Sequence, residues 1–151
     1  ELLNTYFTAM EEAISRHNGV IDKYIGDAIQ IVFYDMPGQA NTACRACQTA
    51  IAMRAKLREL NSERERQGLF ALENGIGIAT GIAISGSIGS LTGRKDFTII
   101  GRVTEQAAHL EARTVNTESR ILVCNETKAA LNQNFALSQH DADSWELLDE
   151  C

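Results

Sequence analysis

The pair Gly26-Asp27 stands between two short apolar stretches, Val20-Ile21-Asp22-Lys23-Tyr24-Ile25 before it and Ala28-Ile29-Gln30-Ile31-Val32-Phe33 after it. Glycine takes backbone angles that other residues avoid, so the pair reads as the tip of a hairpin. A carboxylate there, with no side chain before it to block close approach, suits a magnesium-phosphate ligand. Glu105 and His109 lie four apart in a helical pattern after Gly101 and therefore share one helix face. Cys44 and Cys47 form a C-x-x-C, but inside an alanine-rich helical pattern and without a second ligand pair, so they read as reduced thiols on a helix. Two glycine-rich runs fail as phosphate cradles. Gly86 to Lys95 lacks the P-loop spacing and opens into no helix, and Gly75 to Gly81 misses the dinucleotide fingerprint by one residue.

The elements that must position these groups follow from periodicity. Leu3, Phe7, Met10, Ile14 and His17 recur every three or four residues and mark an amphipathic helix that stops at Asn18-Gly19. Residues 20–34 form two strands about the Gly26-Asp27 turn, and Pro37-Gly38 ends that unit. A longer helix runs from about Gln39 to Gln67, with Ala43, Cys47, Ala50, Leu57 and Leu60 on one side, the mixed charges Glu59 to Arg66 on a solvated face, and Gly68 closing it. Residues 70–89 read as two strands joined near Thr80-Gly81, with Ile76, Ile78, Ile82 and Ile84 at alternating positions assigned to the core. A strand at 96–100, a helix to about Thr114, a strand from Arg120 to Cys124, a helix from Asn125 and strands near 135–140 and 144–148 complete the chain. With no internal repeat and no long linker, residues 1–151 form a single α+β domain, a mainly antiparallel sheet with helices packed on it in the ferredoxin-like manner.

Composition narrows the function classes. The formal charge of −6 disfavours a nucleic-acid surface, which needs clustered Lys and Arg, so any nucleotide is held by a local site. No apolar run approaches the roughly 20 residues that span a bilayer. The four cysteines, read as thiols, fit a reducing cytoplasm and a soluble chain.

The run from Val20 to Phe33 resembles the metal-binding hairpin of the class III nucleotidyl cyclases. Two further segments agree in order: Asn74 to Gly81 continuing to Ser90 is similar to that family's glycine-punctuated hairpin, and Asp96 to Gly101 followed by Gln106 to Arg113 is similar to its active-site strand and helix. The resemblance covers Leu2 to about Phe135. It implies the cyclase fold, conversion of a nucleoside triphosphate to a cyclic monophosphate and pyrophosphate, two Mg²⁺ or Mn²⁺ ions, and a site formed between two cyclase domains. On matching positions it makes Asp27 the second metal-binding aspartate, and makes Lys23 and Thr98 the substrate-binding pair that reads adenine, pointing to ATP rather than GTP. It also implies a central first strand, carrying the other aspartate, ahead of the equivalent of Leu2, so the domain is expected to be N-terminally incomplete. It further implies a sensor or regulatory domain elsewhere in the full protein, and is compatible with membrane anchoring of that protein.

The helix after Gly101 departs from the family pattern. Glu105 stands where the family has the Asn that orients the ribose, His109 where it has the Arg that stabilises transition-state charge, and Arg102 where an Asp follows the glycine. A carboxylate beside a polyanion is unfavourable, and an imidazole does not reproduce the bidentate guanidinium fork. Asp141 to Glu150 is acidic where relatives carry a basic phosphate-contacting loop. Two readings follow. One is an adenylate cyclase domain that is weak or inactive alone and works as a homodimer or as half of a heterodimer. The other is a catalytically degenerate homology domain with a regulatory role.

Overall fold

The computed structural model describes residues 1–89 and 95–150, with residues 87, 88 and 95–98 described by their backbone only. The chain opens with α1 (Leu2–Arg16), whose apolar stripe buries Met10, Ala13 and Ile14. Asn18, in a left-handed conformation, and Gly19 end it, the Gly19 amide donating back to the Ile14 carbonyl. Strands β1 (Val20–Ile25) and β2 (Ala28–Val32) form an antiparallel hairpin, and α2 (Thr42–Arg66) follows with Asn41 as its N-cap.

Four strands make the main sheet, in the order β3 (Ile76–Ile78), β6 (Ile121–Cys124), β8 (Ser144–Glu150), β7 (Phe135–Gln139). The β3–β6 pair is parallel and the other two are antiparallel. A separate antiparallel pair, β4 (Ile84–Gly89) with β5 (Lys95–Ile100), leads into α3 (Arg102–Arg113), and α4 (Asn125–Ala130) follows β6.

The central strand β6 is buried throughout, which its unbroken apolar run Ile121-Leu122-Val123-Cys124 anticipates. Ile121 and Val123 pack with Cys47 and Ala50 of α2, while Leu122 and Cys124 pack with Leu110 of α3, so helices cover both faces of this sheet. A second cluster joins Met10, Ala13 and Ile14 of α1 to Met53 and Leu57 of α2, with Ile29 and Ile31 of the hairpin against it. Close approach fixes α3. A Cβ on Gly77 would lie 2.2 Å from the Ala107 carbonyl oxygen and 2.5 Å from the Glu111 amide nitrogen, so only glycine lets β3 meet this helix.

The α+β architecture expected from the sequence is present, but its strands fall into three sheets among the described residues. The isoleucine series is corrected in part. Ile78 is buried, yet Ile82 and Ile84 are 94% and 70% exposed, because β3 ends at Ile78 and pairs with β6 instead of turning back on β4. The Gly86 to Lys95 run lies partly outside the described residues.

Candidate active site

The β1–β2 hairpin turns through two residues, Gly26 and Asp27, with Ile25 paired to Ala28. Gly26 takes φ +62°, the left-handed backbone such a turn requires at its first position. Asp27 is thereby held exposed at the tip, as the sequence predicts. Its charge is felt at Tyr6 of α1. Burial raises the Tyr6 phenol above its usual range, the negative charges of Asp27 and Glu111 add to the rise, and the hydrogen bond from Asn74 at 2.9 Å opposes it.

Asp27 lines a groove of about 800 Å³ that runs between β2, α2, β3 and α3. Its floor is apolar, built from Ile29, Ile31, Ala46, Met53, Ile76 and Ala107. Among the described residues each flanking strand has one bonded neighbour, β1 for β2 and β6 for β3, so each has an edge without a bonded strand beside this space. Unpaired donors and acceptors beside an apolar floor form a slot for one more extended segment.

The other candidates lie elsewhere. Lys23 is on β1 outside the groove, with its ammonium 3.7 Å from the Asp22 carboxylate, and Gln30, its cross-strand neighbour, donates to the same carboxylate at 2.7 Å. Thr98 pairs with Gly86 through the backbone, and its side chain lies outside the described residues. Glu105 and His109 are exposed on α3, while Thr104, Ala107, Ala108 and Glu111 face the groove. Of Lys23, Asp27, Glu105 and His109, then, only Asp27 enters it. The sequence reading missed Asp22 and Gln30, although a carboxylate and an amide on an otherwise apolar hairpin were a visible signal.

Among the described residues no group of three or more His, Cys, Asp or Glu side chains is placed to hold a metal ion. Asp27 by itself offers one carboxylate, so these residues alone do not fit a divalent cation, which takes six or more oxygen ligands. The C-x-x-C is no metal site either. Cys44 and Cys47 are buried free thiols, as is Cys124, and burial pushes Cys47 up to about 12; Cys151 lies outside the described residues. Part of the acidic C-terminal segment is turn chemistry: Asp141 accepts from the Asp143 amide at 2.8 Å and the Ser144 hydroxyl at 2.9 Å, and pairs with Arg113 at 2.9 Å. No helix among the described residues is long and apolar enough to cross a membrane.

This α+β arrangement superposes on solved nucleotide cyclases. The guanylyl cyclase Cya2 superposes with a TM-score of 0.80 at 30% identity, over 99% of this chain and 79% of that one. The adenylyl cyclase CyaB from P. aeruginosa gives 0.81 at 27%, over 99% and 82%. The model of the adenylate and guanylate cyclase catalytic domain matches residues 1–146, and the chain belongs to that family. An adenylate cyclase of Anabaena cylindrica is 40% identical over 125 residues, 80% of this chain and 24% of that protein. Adenylate cyclase 1 of Rhizobium meliloti (strain 1021) is 28% identical over 121 residues, 80% of this chain and 18% of that protein. The chain thus spans about a quarter or less of the curated relatives it matches.

Proposed function

We propose that this chain is an adenylate cyclase domain that binds ATP and contributes to forming cyclic AMP and pyrophosphate, in a site completed by a second cyclase domain. The observation that carries the reading is the β1–β2 hairpin, which keeps Asp27 at its tip and Lys23 exposed on its strand. Likeness to the Anabaena adenylate cyclase supports ATP as the substrate. In this reading Lys23 donates to adenine, Thr98 is the second base-reading residue, and Asp27 is one ligand of Mg²⁺ or Mn²⁺. The remaining ligands would come from the nucleotide phosphates and from an extended segment seated in the groove between β2 and β3. The unpaired edges of those strands support that segment, which completes the domain.

Glu105 and His109 make the domain weak on its own. Neither has a hydrogen bond or ion pair among the described residues, so none of those residues stands in for the missing guanidinium. A charge-stabilising arginine is worth about 10³-fold or more in phosphoryl transfer, so the domain depends on a partner that supplies it. The test is cyclic nucleotide formation from ATP and from GTP by the full-length protein with Mg²⁺ or Mn²⁺. The wild type is expected to be slow and to prefer ATP, and Glu105→Asn with His109→Arg should raise turnover by orders of magnitude. Silence from a folded double variant that still binds ATP would overturn the catalytic reading in favour of the regulatory one, to which the Glu and His substitutions also conform.

A further inference from the structure

The register of the hairpin slips at one place. Ile21 pairs with Ile31 and Lys23 with Gln30, leaving Asp22 as an extra residue on β1. In a regular strand neighbouring side chains point to opposite faces, so Asp22 and Lys23 would be kept apart. A bulge re-aims the side chains around it. Here it lets the Asp22 carboxylate come within 3.7 Å of the Lys23 ammonium. The same Oδ2 accepts from the Gln30 amide at 2.7 Å, and Gln30 is the residue directly across from Lys23. Asp22 is the inner member of the cluster, its side chain 7% exposed against 41% for Lys23.

From this arrangement we infer that Asp22, braced by Gln30, is a positioning residue for base selection: its charge steers the Lys23 ammonium across 3.7 Å, leaving the ammonium protons to a purine. The inference rests on the reading of Lys23 as the adenine-binding lysine. An unrestrained lysine loses rotamer entropy when it meets a base, and one already held by an ion pair loses less. The carboxylate also offsets the ammonium charge locally, so Lys23 discriminates by hydrogen bonding and gains little from general attraction to the triphosphate, which ATP and GTP share. Asp22 does not read guanine itself, since its side chain is buried and one oxygen is taken by Gln30.

The experiment is competition of ATP and GTP against a fluorescent nucleotide on the full-length protein, for wild type, Lys23→Ala, Asp22→Asn and the double variant. Asparagine still accepts from Gln30, so the hairpin is kept while the charged tether is lost. The ratio of ATP to GTP affinity should fall about two- to fivefold in Asp22→Asn, the range for a partly exposed ion pair, and Asp22→Asn should add nothing on the Lys23→Ala background. Gln30→Met, which removes the brace, should move the ratio the same way if Asp22→Asn proves unstable. A lowered ratio in Lys23→Ala with an unchanged ratio in folded Asp22→Asn or Gln30→Met would overturn the inference and leave the Lys23 reading standing. An unchanged ratio in Lys23→Ala would overturn both.

Discussion

Arg45 sits on the first turns of α2 with 2% of its surface exposed and, among the described residues, no carboxylate bonded to it. Its guanidinium spends its donors on backbone carbonyls. Nε donates to Ala40 at 2.9 Å, Nη2 to Tyr34, and Nη1 to His17 and Asn18 at 3.4 Å each, with the Phe33 ring 5.7 Å away. One side chain therefore ties the end of α1 to the segment that leaves β2, and so anchors the base of the Asp27 hairpin. Replacing it with methionine removes two close charged hydrogen bonds at about 1.5–3 kcal/mol each, and the two long ones add little. Burial of the methionine returns about 1.5–3 kcal/mol, so the net loss is about 1.5–3 kcal/mol. That is a large share of the roughly 5–15 kcal/mol that stabilises a domain. Arg45→Lys keeps the charge but not the fork, and should fall between. Hydrogen exchange of the full-length protein reads this directly. Protection of the amides near 14–19 and 34–45 should drop about tenfold to a hundredfold in Arg45→Met. A drop below about fivefold, or a lysine variant as well protected as wild type, would refute the anchoring role.

Two further perturbations probe the frame around the site. Gly77→Ala places a methyl 2.2 Å from the Ala107 carbonyl oxygen and 2.5 Å from the Glu111 amide nitrogen, and neither backbone atom can turn aside; a loss of about 3 kcal/mol or more is expected by denaturant unfolding, and an unchanged midpoint would mean that α3 does not pack this closely. Because burial raises the Cys47 thiol from 9.0 to about 12, its neutral form favours the folded state; that contribution is complete below about pH 9 and is lost as the pH rises toward 12, so Cys47→Ala should flatten this limb of the stability curve, whereas an unaltered slope would refute it.

Local chemistry made much of this fold readable. The stripe of α1, the glycine turn of the hairpin and the solid apolar run of β6 each follow from residues adjacent in sequence, and each appears within a few residues of its expected place. Pairing across long separations was not readable. Ile76, Ile78, Ile82 and Ile84 alternate as one strand pair would, but alternation says nothing about which partner a strand takes, and the parallel partner of β3 comes about 45 residues later. At the site, Asp27 was visible because its turn is local. Asp22 was obscured for the opposite reason: its role depends on a bulge that exists only once β1 has met β2. Arg45 reads as an ordinary helix residue until the carbonyls it gathers, spread from His17 to Ala40, are brought around it.

The way α3 is seated bears on where Glu105 and His109 can act. A helix turns about 100° per residue, which places these two roughly 60–100° around from Ala108 and away from the groove that Asp27 lines. Rotating α3 to bring them inward would drag Leu110 out of its contact with Leu122 and Cys124, at a cost of about 1.5–3 kcal/mol, and would drive larger side chains into the space that Gly77 leaves for Ala107. The helix is therefore locked with Glu105 and His109 facing outward, and a nucleotide they contact must be presented from outside this protomer's groove. That geometry supports a site shared with a second cyclase domain. It also separates the candidate residues: Asp27 lines the groove of its own chain, whereas Glu105 and His109 are exposed away from it. A partner carrying Asn and Arg at those positions should restore turnover at the site containing this chain's Asp27, and an Asp27→Ala variant mixed with the same partner should not. Equal activity from both mixtures would show that Asp27 is not a ligand in the working site.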